Sequence, residues 1–222
     1  MKQKGRLLMN NSLLIVGASI YGVVAAEIAT DMGCFDKIDF VDDERKTTPN
    51  GIAVVGTMQD IGRLEGQYGN IIVAIGNPEV RVSLLKRIKE ETSFHIATLI
   101  SPKAYISPSA KVMSGCIIEP MALVHTNCLV LDGCIISAGA VVNHASVCCK
   151  GVHVDCNATV EGYCFVPSNT KICSGEAYKR ENASGSGKSY FDPQKWAERL
   201  YAVLKLSDDE IEDIERVFDI EM

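Results

Sequence analysis

Aliphatic residues recur at every sixth position through the second half of the chain. From Ile100 to Ile172, each sixth residue is Val or Ile, with Cys148 as the one exception. Four positions after each of them stands a small residue in all cases but one, and three positions after them stand many Gly and Asn, which tolerate left-handed backbone angles. Short strands with an aliphatic interior and tight corners fit this period, which predicts a parallel β-helix.

The register of this repeat is unbroken, and that supports the β-helix. In a hairpin fold the spacing of turns varies, whereas here one insertion would move every later aliphatic residue off the interior. The pattern resembles the hexapeptide repeat of left-handed β-helix acyltransferases, in which three hexads close one triangular coil. The left hand is implied by that resemblance alone. Residues eighteen apart are then expected to stack at about 4.8 Å, the spacing of adjacent strands.

The first hundred residues follow a different pattern, in which strands alternate with helices. Apolar runs at 12–16, 37–41 and 71–75 indicate buried strands, and helical spacing follows at about 20–32, 57–66 and 78–91. Pro78 suits the first turn of the third helix. Such alternation predicts a small parallel α/β domain of Rossmann-like winding.

The turn after the first strand has the form G-x-S-x-x-G, from Gly17 through Ser19 to Gly22. Backbone N–H groups at the start of the next helix could hold a phosphate, because unpaired donors and the helix dipole favour an anion there. A tight turn without a ligand fits the motif equally well. Asp42, at the end of the second strand, is placed to bind a ribose or base, or is a solvated acid.

After the hexads, residues 182–189 are rich in Gly and Ser and are expected to form a flexible spacer. Asp192-Pro193 and the capping box Ser207-x-x-Glu210 then predict two helices, each with an apolar stripe. The stripes would cover the open end of the β-helix or dock on another protein. We therefore expect an α/β domain at 1–99, a β-helix at 100–177, and a linker with C-terminal helices at 178–222.

Composition limits the partners and the location of the protein. The net charge is −6 and no predicted face gathers Lys and Arg, which argues against nucleic acid and anionic membranes as partners. No apolar run is long enough to span a bilayer and no stretch has the size of a signal peptide, so we expect a cytoplasmic protein. Five of the nine cysteines fill interior positions of the hexads and the others lack zinc-site spacing, so no metal is expected.

Four features in this order resemble one family: the G-x-S-x-x-G turn, the acidic pair Asp42-Asp43, the A-I-G-N-x-x-x-R stretch at 74–81, and the hexads. The family comprises sialic acid O-acetyltransferases and bacillosamine-type sugar N-acetyltransferases, and the likeness covers roughly residues 12–173. It implies a homotrimer that binds a nucleotide sugar or sialic acid near the N-terminal domain and acetyl-CoA between adjacent prisms. The function it implies is acetyl transfer in the synthesis of surface polysaccharides.

The same resemblance implies that His144 is the catalytic base. It lies two positions after an interior residue, hence at an outward corner, where a neutral imidazole can take a proton from a sugar amine or hydroxyl. An exposed histidine without a role is the alternative. Gly162 is expected directly above it, eighteen residues on, and matches the family glycine whose N–H faces the acetyl carbonyl. His153 matches a second family histidine near the acetyl group, or is a surface residue.

The family motifs also imply a set of substrate-binding positions, in which Arg81 faces a phosphate or carboxylate. The set is Gly17, Ser19, Gly22, Asp42, Asp43, Gly76, Asn77 and Arg81. Within the turn, Ile20 and Tyr21 replace smaller or polar family residues and are expected to crowd the phosphate approach. His95 and His125 match no family position and are expected to be structural.

The chain departs from the family pattern after His144 and at the end of the hexads. Relatives have Glu or Asp where this chain has Ala145, and Glu161, one coil above Asn143, is the predicted substitute that orients the imidazole. The hexads end near Ile172, about two coils earlier than in relatives. The alternative to an enzyme is therefore a catalytically degenerate trimeric scaffold or a nucleotide-sugar-binding module.

Overall fold

The computed structural model describes residues 10–179, so the predicted linker and C-terminal helices lie outside the described residues. The first part is a five-stranded sheet in the order β3-β2-β1-β4-β5, with all neighbouring strands parallel. Its strands are β1 Ser12–Val16, β2 Lys37–Val41, β3 Val54–Gly56, β4 Asn70–Val73 and β5 His95–Ile96. Its helices are α1 Ile20–Met32, a 3₁₀ turn Met58–Asp60 that leads into α2 Ile61–Leu64, and α3 Pro78–Glu91.

The central strand β1 is a continuous apolar run because both faces of the sheet are covered. The helix α1 packs on one face, and α2 and α3 pack on the other. The helix α3 begins at Pro78, as predicted, and Asn77 caps it by accepting a hydrogen bond from Val80 N at 3.0 Å. The strands and helices alternate as the sequence predicted.

From Leu99 onward the chain forms two-residue strands that build three parallel sheets, here called faces 1, 2 and 3. Face 1 consists of β6 Leu99–Ile100, β9 Ile117–Ile118, β12 Ile135–Ile136, β15 His153–Val154 and β18 Lys171–Ile172. Face 2 consists of β7 Tyr105–Ile106, β10 Leu123–Val124, β13 Val141–Val142, β16 Thr159–Val160 and β19 Ala177–Tyr178. Face 3 consists of β8 Lys111–Val112, β11 Leu129–Val130, β14 Val147–Cys148 and β17 Phe165–Val166.

Paired residues in these faces are eighteen apart, which confirms the predicted triangular coil. Leu123 pairs with Val141, and Val141 pairs with Thr159. The predicted aliphatic and small series point inward and form one core. Burial raises the pKa of the Cys128 thiol to about 11, so it stays protonated in this interior and acts as a small hydrophobe.

The corners of the coil follow the predicted positions. Every sixth residue from Gly115 to Gly175 has a positive φ angle. Most of them are Gly or Asn, but Met121, Ala145 and Tyr163 adopt the same conformation. Side chains with a Cβ pay a steric cost there, so the coil register, and not the local residue preference, holds these three corners in place.

The α/β domain packs against face 1 and the neighbouring edge. The outward side chains of Leu99, Ile117 and Ile135 are buried in one cluster with α1. Along the edge between faces 3 and 1, Leu85 of α3 lies so close to Gly133 that a Cβ there would come within 2.7 Å of it. In the triangular coil, the edge between faces 2 and 3 lies opposite face 1.

Candidate functional site

His144 lies on the edge between faces 2 and 3, in the turn that joins β13 to β14. The coil register places it there, since Ala145 N donates to Thr126 O one coil below. The Asn143 side chain folds back on it: Oδ1 accepts from the His144 backbone N at 2.8 Å and lies 2.7 Å from His144 Nδ1. An amide oxygen can only accept, so this contact assigns the imidazole proton to Nδ1 and leaves Nε2 with a free lone pair.

Gly162 lies over the His144 ring, as the register of eighteen predicts. A Cβ built on Gly162 would lie 2.8 Å from His144 Nε2 and 2.9 Å from Cε1, closer than side chains approach. In this turn the positive φ angle belongs to Tyr163, as it belongs to Ala145 one coil below, and not to Gly162. Glycine is therefore required at 162 because the His144 ring leaves no room for a side chain, and not because of the backbone angle. Within residues 10–179, no backbone carbonyl accepts a hydrogen bond from the Gly162 N–H.

Two further rings stand beside His144 on the same edge. His125, one coil below, is 5.9 Å away between ring centroids at an angle of 68°, and Tyr163 is 5.1 Å away at 89°. Sequence reasoning missed Asn143 and Tyr163 as parts of this site. The sequence did contain a signal for both residues. Tyr163 directly follows Gly162, which stacks on His144, and the side chain of Asn143 is short enough to fold back onto His144.

His153 lies elsewhere, on face 1, close to the backbone of Gly76. It points out of the β-helix, but the α/β domain covers it, so the alternative of a surface residue is wrong. Its Nε2 is 3.2 Å from Ser137 Oγ, and its Nδ1 is buried with no hydrogen-bond partner among the residues that the structure describes. Burial, against the opposing charge of Asp155, lowers the pKa of His153 to about 4, so the imidazole is neutral near pH 7.

The turn between β1 and α1 allows the backbone to approach closely. Gly17 has a φ angle of 105°, and a Cβ on Gly22 would lie 2.0 Å from Gly17 O, so both positions require glycine. Ser19 is the N-cap of α1, but its side chain makes no capping hydrogen bond. The first N–H groups of α1 are therefore left to water or to an anion.

The acidic pair Asp42 and Asp43 follows β2 beside this turn. Asp42 Oδ2 accepts from Ala18 N at 2.7 Å, and its Oδ1 accepts from the N–H groups of Glu44 and Arg45. Burial raises the pKa of Asp42, but these three donors outweigh burial and hold the pKa below its usual value. Asp43 Oδ1 accepts the N–H that begins the 3₁₀ turn, at 2.8 Å. Both carboxylates thus fix the loops around the turn.

Gly76 and Asn77 complete this group at the end of β4. A Cβ on Gly76 would meet nothing within 4 Å, so its backbone borders open space. The carboxyl ends of β1, β2 and β4 lie side by side, and in open α/β sheets ligands bind at such ends. The structure therefore brings seven predicted positions together here: Gly17, Ser19, Gly22, Asp42, Asp43, Gly76 and Asn77.

Arg81 does not belong to this group, which corrects the expectation that it faces a phosphate. Its side chain is fully buried between α3 and the β-helix. Nε and Nη2 donate to Gly133 O and Gly151 O on the β-helix, at 2.6 and 2.8 Å. Nη1 donates to Ile75 O and Gly76 O in the α/β domain, at 2.7 and 3.1 Å. With four of its five N–H groups engaged, Arg81 joins the α/β domain to the coil.

Tyr21 also turns away from the phosphate side of its turn, contrary to expectation. Its ring packs in the cluster between α1 and face 1, next to Glu119. Burial and the charge of Glu119 raise the pKa of Tyr21 well above its usual value. Ile20, by contrast, is 64% exposed. Only Ile20 therefore stands at the open side of the turn.

The predicted residues thus fall into two places on opposite sides of the coil. His144 and Gly162 share the edge between faces 2 and 3, and Glu161 follows β16 in the coil above Asn143. The seven residues at the ends of β1, β2 and β4, here called the strand-end group, lie on the side of face 1, because α1 packs there. His153 is close to the strand-end group through Gly76 and not to His144.

Residues 10–179 show neither a metal-binding cluster nor a helix that could cross a membrane. No group of three or more His, Cys, Asp or Glu side chains among them could hold a metal ion. None of the helices within 10–179 is long and apolar enough to pass through a membrane. None of the nine cysteines forms a disulfide within residues 10–179, and six of them are buried.

Known proteins resemble this chain in both of its parts. Residues 12–88 match the PglD N-terminal domain family. The acetyltransferase domain of PglB from Neisseria gonorrhoeae FA1090 is 30% identical, with 76% of this chain and 82% of that domain covered and a TM-score of 0.70. The same domain in complex with acetyl coenzyme A gives a TM-score of 0.72. No curated protein sequence matches the chain closely enough to be counted as a relative.

A third structure has the same fold at lower identity. PerB from Caulobacter crescentus, in complex with CoA and GDP-perosamine, is 20% identical, with 76% of this chain and 89% of PerB covered and a TM-score of 0.66. The prediction of a left-handed parallel β-helix behind an α/β domain is confirmed. The chain is an acyltransferase and belongs to the bacillosamine-type sugar N-acetyltransferase family.

Proposed function

We propose that the chain transfers the acetyl group of acetyl-CoA to the amino group of a nucleotide-linked sugar, with His144 as the general base. The observation that carries this proposal is the arrangement of Asn143, His144 and Gly162. Asn143 assigns the proton to Nδ1, and Gly162 leaves room for a substrate group next to Nε2. A neutral imidazole with a free, accessible nitrogen is what a general base requires.

The chemistry follows from these positions. Acetyl-CoA supplies an activated thioester carbonyl, and the sugar amine supplies the electron pair that attacks it. As the C–N bond forms, the amine loses a proton to His144 Nε2, and the carbonyl oxygen takes on negative charge. When the C–S bond breaks, the sulfur leaves with the bonding electrons and takes the proton from the imidazolium, which restores neutral His144.

Gly162 has two proposed roles in this reaction. The space that a Cβ would fill lies next to Nε2, where the reacting amine must stand. Its N–H, which no described backbone carbonyl accepts, is available to the negative oxygen, and one such donor is typically worth a few kcal/mol in the transition state. His153 is proposed to contact the acetyl end of acetyl-CoA as a neutral imidazole.

The nucleotide part of the acceptor is proposed to bind at the carboxyl ends of β1, β2 and β4. The uncapped start of α1 offers N–H groups to a phosphate, and Gly17 and Gly22 keep side chains out of the way. The proposed contacts are Gly17, Ser19, Gly22, Asp42, Asp43, Gly76 and Asn77. In this scheme residues 1–99 bind the nucleotide sugar and residues 100–177 carry acyl transfer.

The proposed reaction requires more than one copy of the chain. The strand-end group lies on the side of face 1, whereas His144 lies on the opposite edge of the same coil. A sugar bound at the strand-end group therefore reaches the His144 of a neighbouring chain. We propose a homotrimer, in which each edge between faces 2 and 3 meets the α/β side of the next chain and acetyl-CoA lies between them.

Two side chains are candidates for orienting His144. Asn143 holds Nδ1 at 2.7 Å, and Glu161, in the coil above, is the predicted carboxylate partner. The variant Glu161→Gln separates them, because it removes the charge and keeps the shape. If its rate and pH profile equal those of the wild type, Asn143 alone orients the base.

The test of this function combines binding with turnover. We expect calorimetry to detect acetyl-CoA binding, and mass spectrometry to detect N-acetylation of one of a panel of UDP- and GDP-linked amino sugars. His144→Ala should keep acetyl-CoA binding and lose at least about a hundredfold in kcat. Absence of binding at near-millimolar acetyl-CoA would overturn the proposal, and full activity of His144→Ala would remove the base from it.

A further inference from the structure

His125 stands on the same edge as His144, although nothing in its sequence context suggests a role. It follows β10 at the corner between faces 2 and 3, one coil below Asn143. Its side chain is exposed, and its ring lies 5.9 Å from the His144 ring between centroids, at an angle of 68°. The two imidazoles therefore border the same solvent-facing space.

The hydrogen bonds of the two rings assign the imidazole proton to a different nitrogen in each. Thr126 N donates to His125 Nδ1 at 2.8 Å, so the neutral ring carries its proton on Nε2. His144 has the reverse arrangement, because its Nδ1 faces Asn143 Oδ1 and carries the proton itself. His125 thus offers a donor at Nε2, and His144 offers an acceptor at Nε2.

We infer that His125 determines acceptor specificity by donating its Nε2–H to the hydroxyl oxygen next to the amine that His144 deprotonates. This inference rests on the proposed function, and it narrows the acceptor to sugars with an amino group and a hydroxyl on neighbouring ring carbons. Such a pair presents one group that donates to His144 and one that accepts from His125. A site built to bind a hydroxyl discriminates against analogues that lack it.

The turn itself does not require a histidine at this position. At other corners the residue before the turn also accepts the next N–H, through Asn143 Oδ1 at His144 and through Asp155 Oδ1 at Cys156, each at 2.8 Å. A short amide or carboxylate is therefore sufficient to cap the corner. What histidine adds at 125 is a second, protonated nitrogen at the tip of the side chain.

This comparison supplies a variant that separates structure from recognition. His125→Asn keeps an acceptor for Thr126 N, as Asn143 does for His144, and removes the distant donor. We would measure kcat/KM with the preferred amino sugar and with its analogue that lacks the adjacent hydroxyl. The wild type should prefer the hydroxylated sugar by about tenfold, and His125→Asn should lose that preference through a higher KM with little change in kcat.

The matched control is His95→Asn, since His95 is exposed on β5 and distant in the fold from this edge. It should keep the wild-type preference. The inference about His125 is overturned if His125→Asn keeps the preference, or if it loses rate equally with both sugars. A wild-type chain that acetylates no amino sugar overturns the proposed function as well, so the two failures are distinguishable.

Discussion

His144 Nε2 lies against Gly162 in the coil above, at a distance that leaves no room for a side chain. A Cβ at position 162 would come within 2.8 Å of that nitrogen. The two residues are eighteen apart, so the regular stacking of the β-helix, and not a flexible loop, sets their separation. A rigid coil thus presents an oriented imidazole next to a space of defined size.

The first prediction concerns that space. Gly162→Ala should reduce kcat roughly a hundredfold, because the added methyl group displaces either the imidazole or the reacting amine. The fold should persist, since Gly162 does not have a positive φ angle. Steady-state kinetics and circular dichroism measure the two effects separately.

A suitable control for this variant is Gly66→Ala. A Cβ there meets nothing within 4 Å and the backbone angle is ordinary, so its activity should match the wild type. Wild-type kcat in Gly162→Ala would mean that Nε2 does not act from the observed ring position.

The second prediction concerns Asn143. Asn143→Ala removes the acceptor at Nδ1, so the wrong imidazole tautomer becomes populated and kcat should fall at least tenfold. Asn143→Asp restores an acceptor and adds a charge that favours the protonated ring. Its activity should therefore return, with the acid limb of the pH–rate profile moved to higher pH.

The informative result is the order of kcat at neutral pH among the wild type, Asn143→Ala and Asn143→Asp. If Asn143→Ala and Asn143→Asp are equally active, the contact at Nδ1 does not control the base. In that case Glu161 becomes the candidate partner, and Glu161→Gln is the variant to compare.

The repeat made the β-helix and the pairing of His144 with Gly162 predictable from sequence. Each hexad repeats the same local pattern of inward and outward side chains. A count of eighteen residues along the chain therefore places one side chain above another. The same count carries Tyr163 into a left-handed corner that its own residue type disfavours. A repeat therefore predicts position even where residue preference predicts the opposite.

The junction between the two parts was not predictable in this way. Arg81 matched a family motif, but its Nε and Nη2 donate to carbonyls from segments more than fifty residues away. His153 became buried and Tyr21 partly buried because the α/β domain packs on face 1. The periodic pattern of residues does not indicate which face of the β-helix packs against the α/β domain. The sequence motif alone therefore placed Arg81 in the wrong environment.

The third prediction tests the structural role of Arg81. Arg81→Lys keeps the charge but replaces a planar guanidinium with one nitrogen, which cannot reach carbonyls on both parts. Leaving buried carbonyls without donors should lower the free energy of unfolding by more than about 2 kcal/mol. Urea denaturation measures this loss.

Arg87→Lys is the matched comparison, because Arg87 is half exposed and forms an ion pair with Glu91 along the same helix. Its effect should stay within about 0.5 kcal/mol. Equal stability of the two variants would contradict the assignment of Arg81 to the junction.

The last prediction uses the pKa of His153. Burial lowers this pKa from 6.5 to about 4, whereas the unfolded chain regains the ordinary value. Between these values the unfolded state binds more protons, so the native state loses stability as the pH falls through this window. His153→Gln removes the titration. From pH 7 to pH 4.5 the wild type should therefore lose roughly 2 kcal/mol more than the variant in urea denaturation, while the carboxylates other than the neighbouring Asp155 titrate alike in both and cancel. Equal losses would mean that His153 is not buried as a neutral ring.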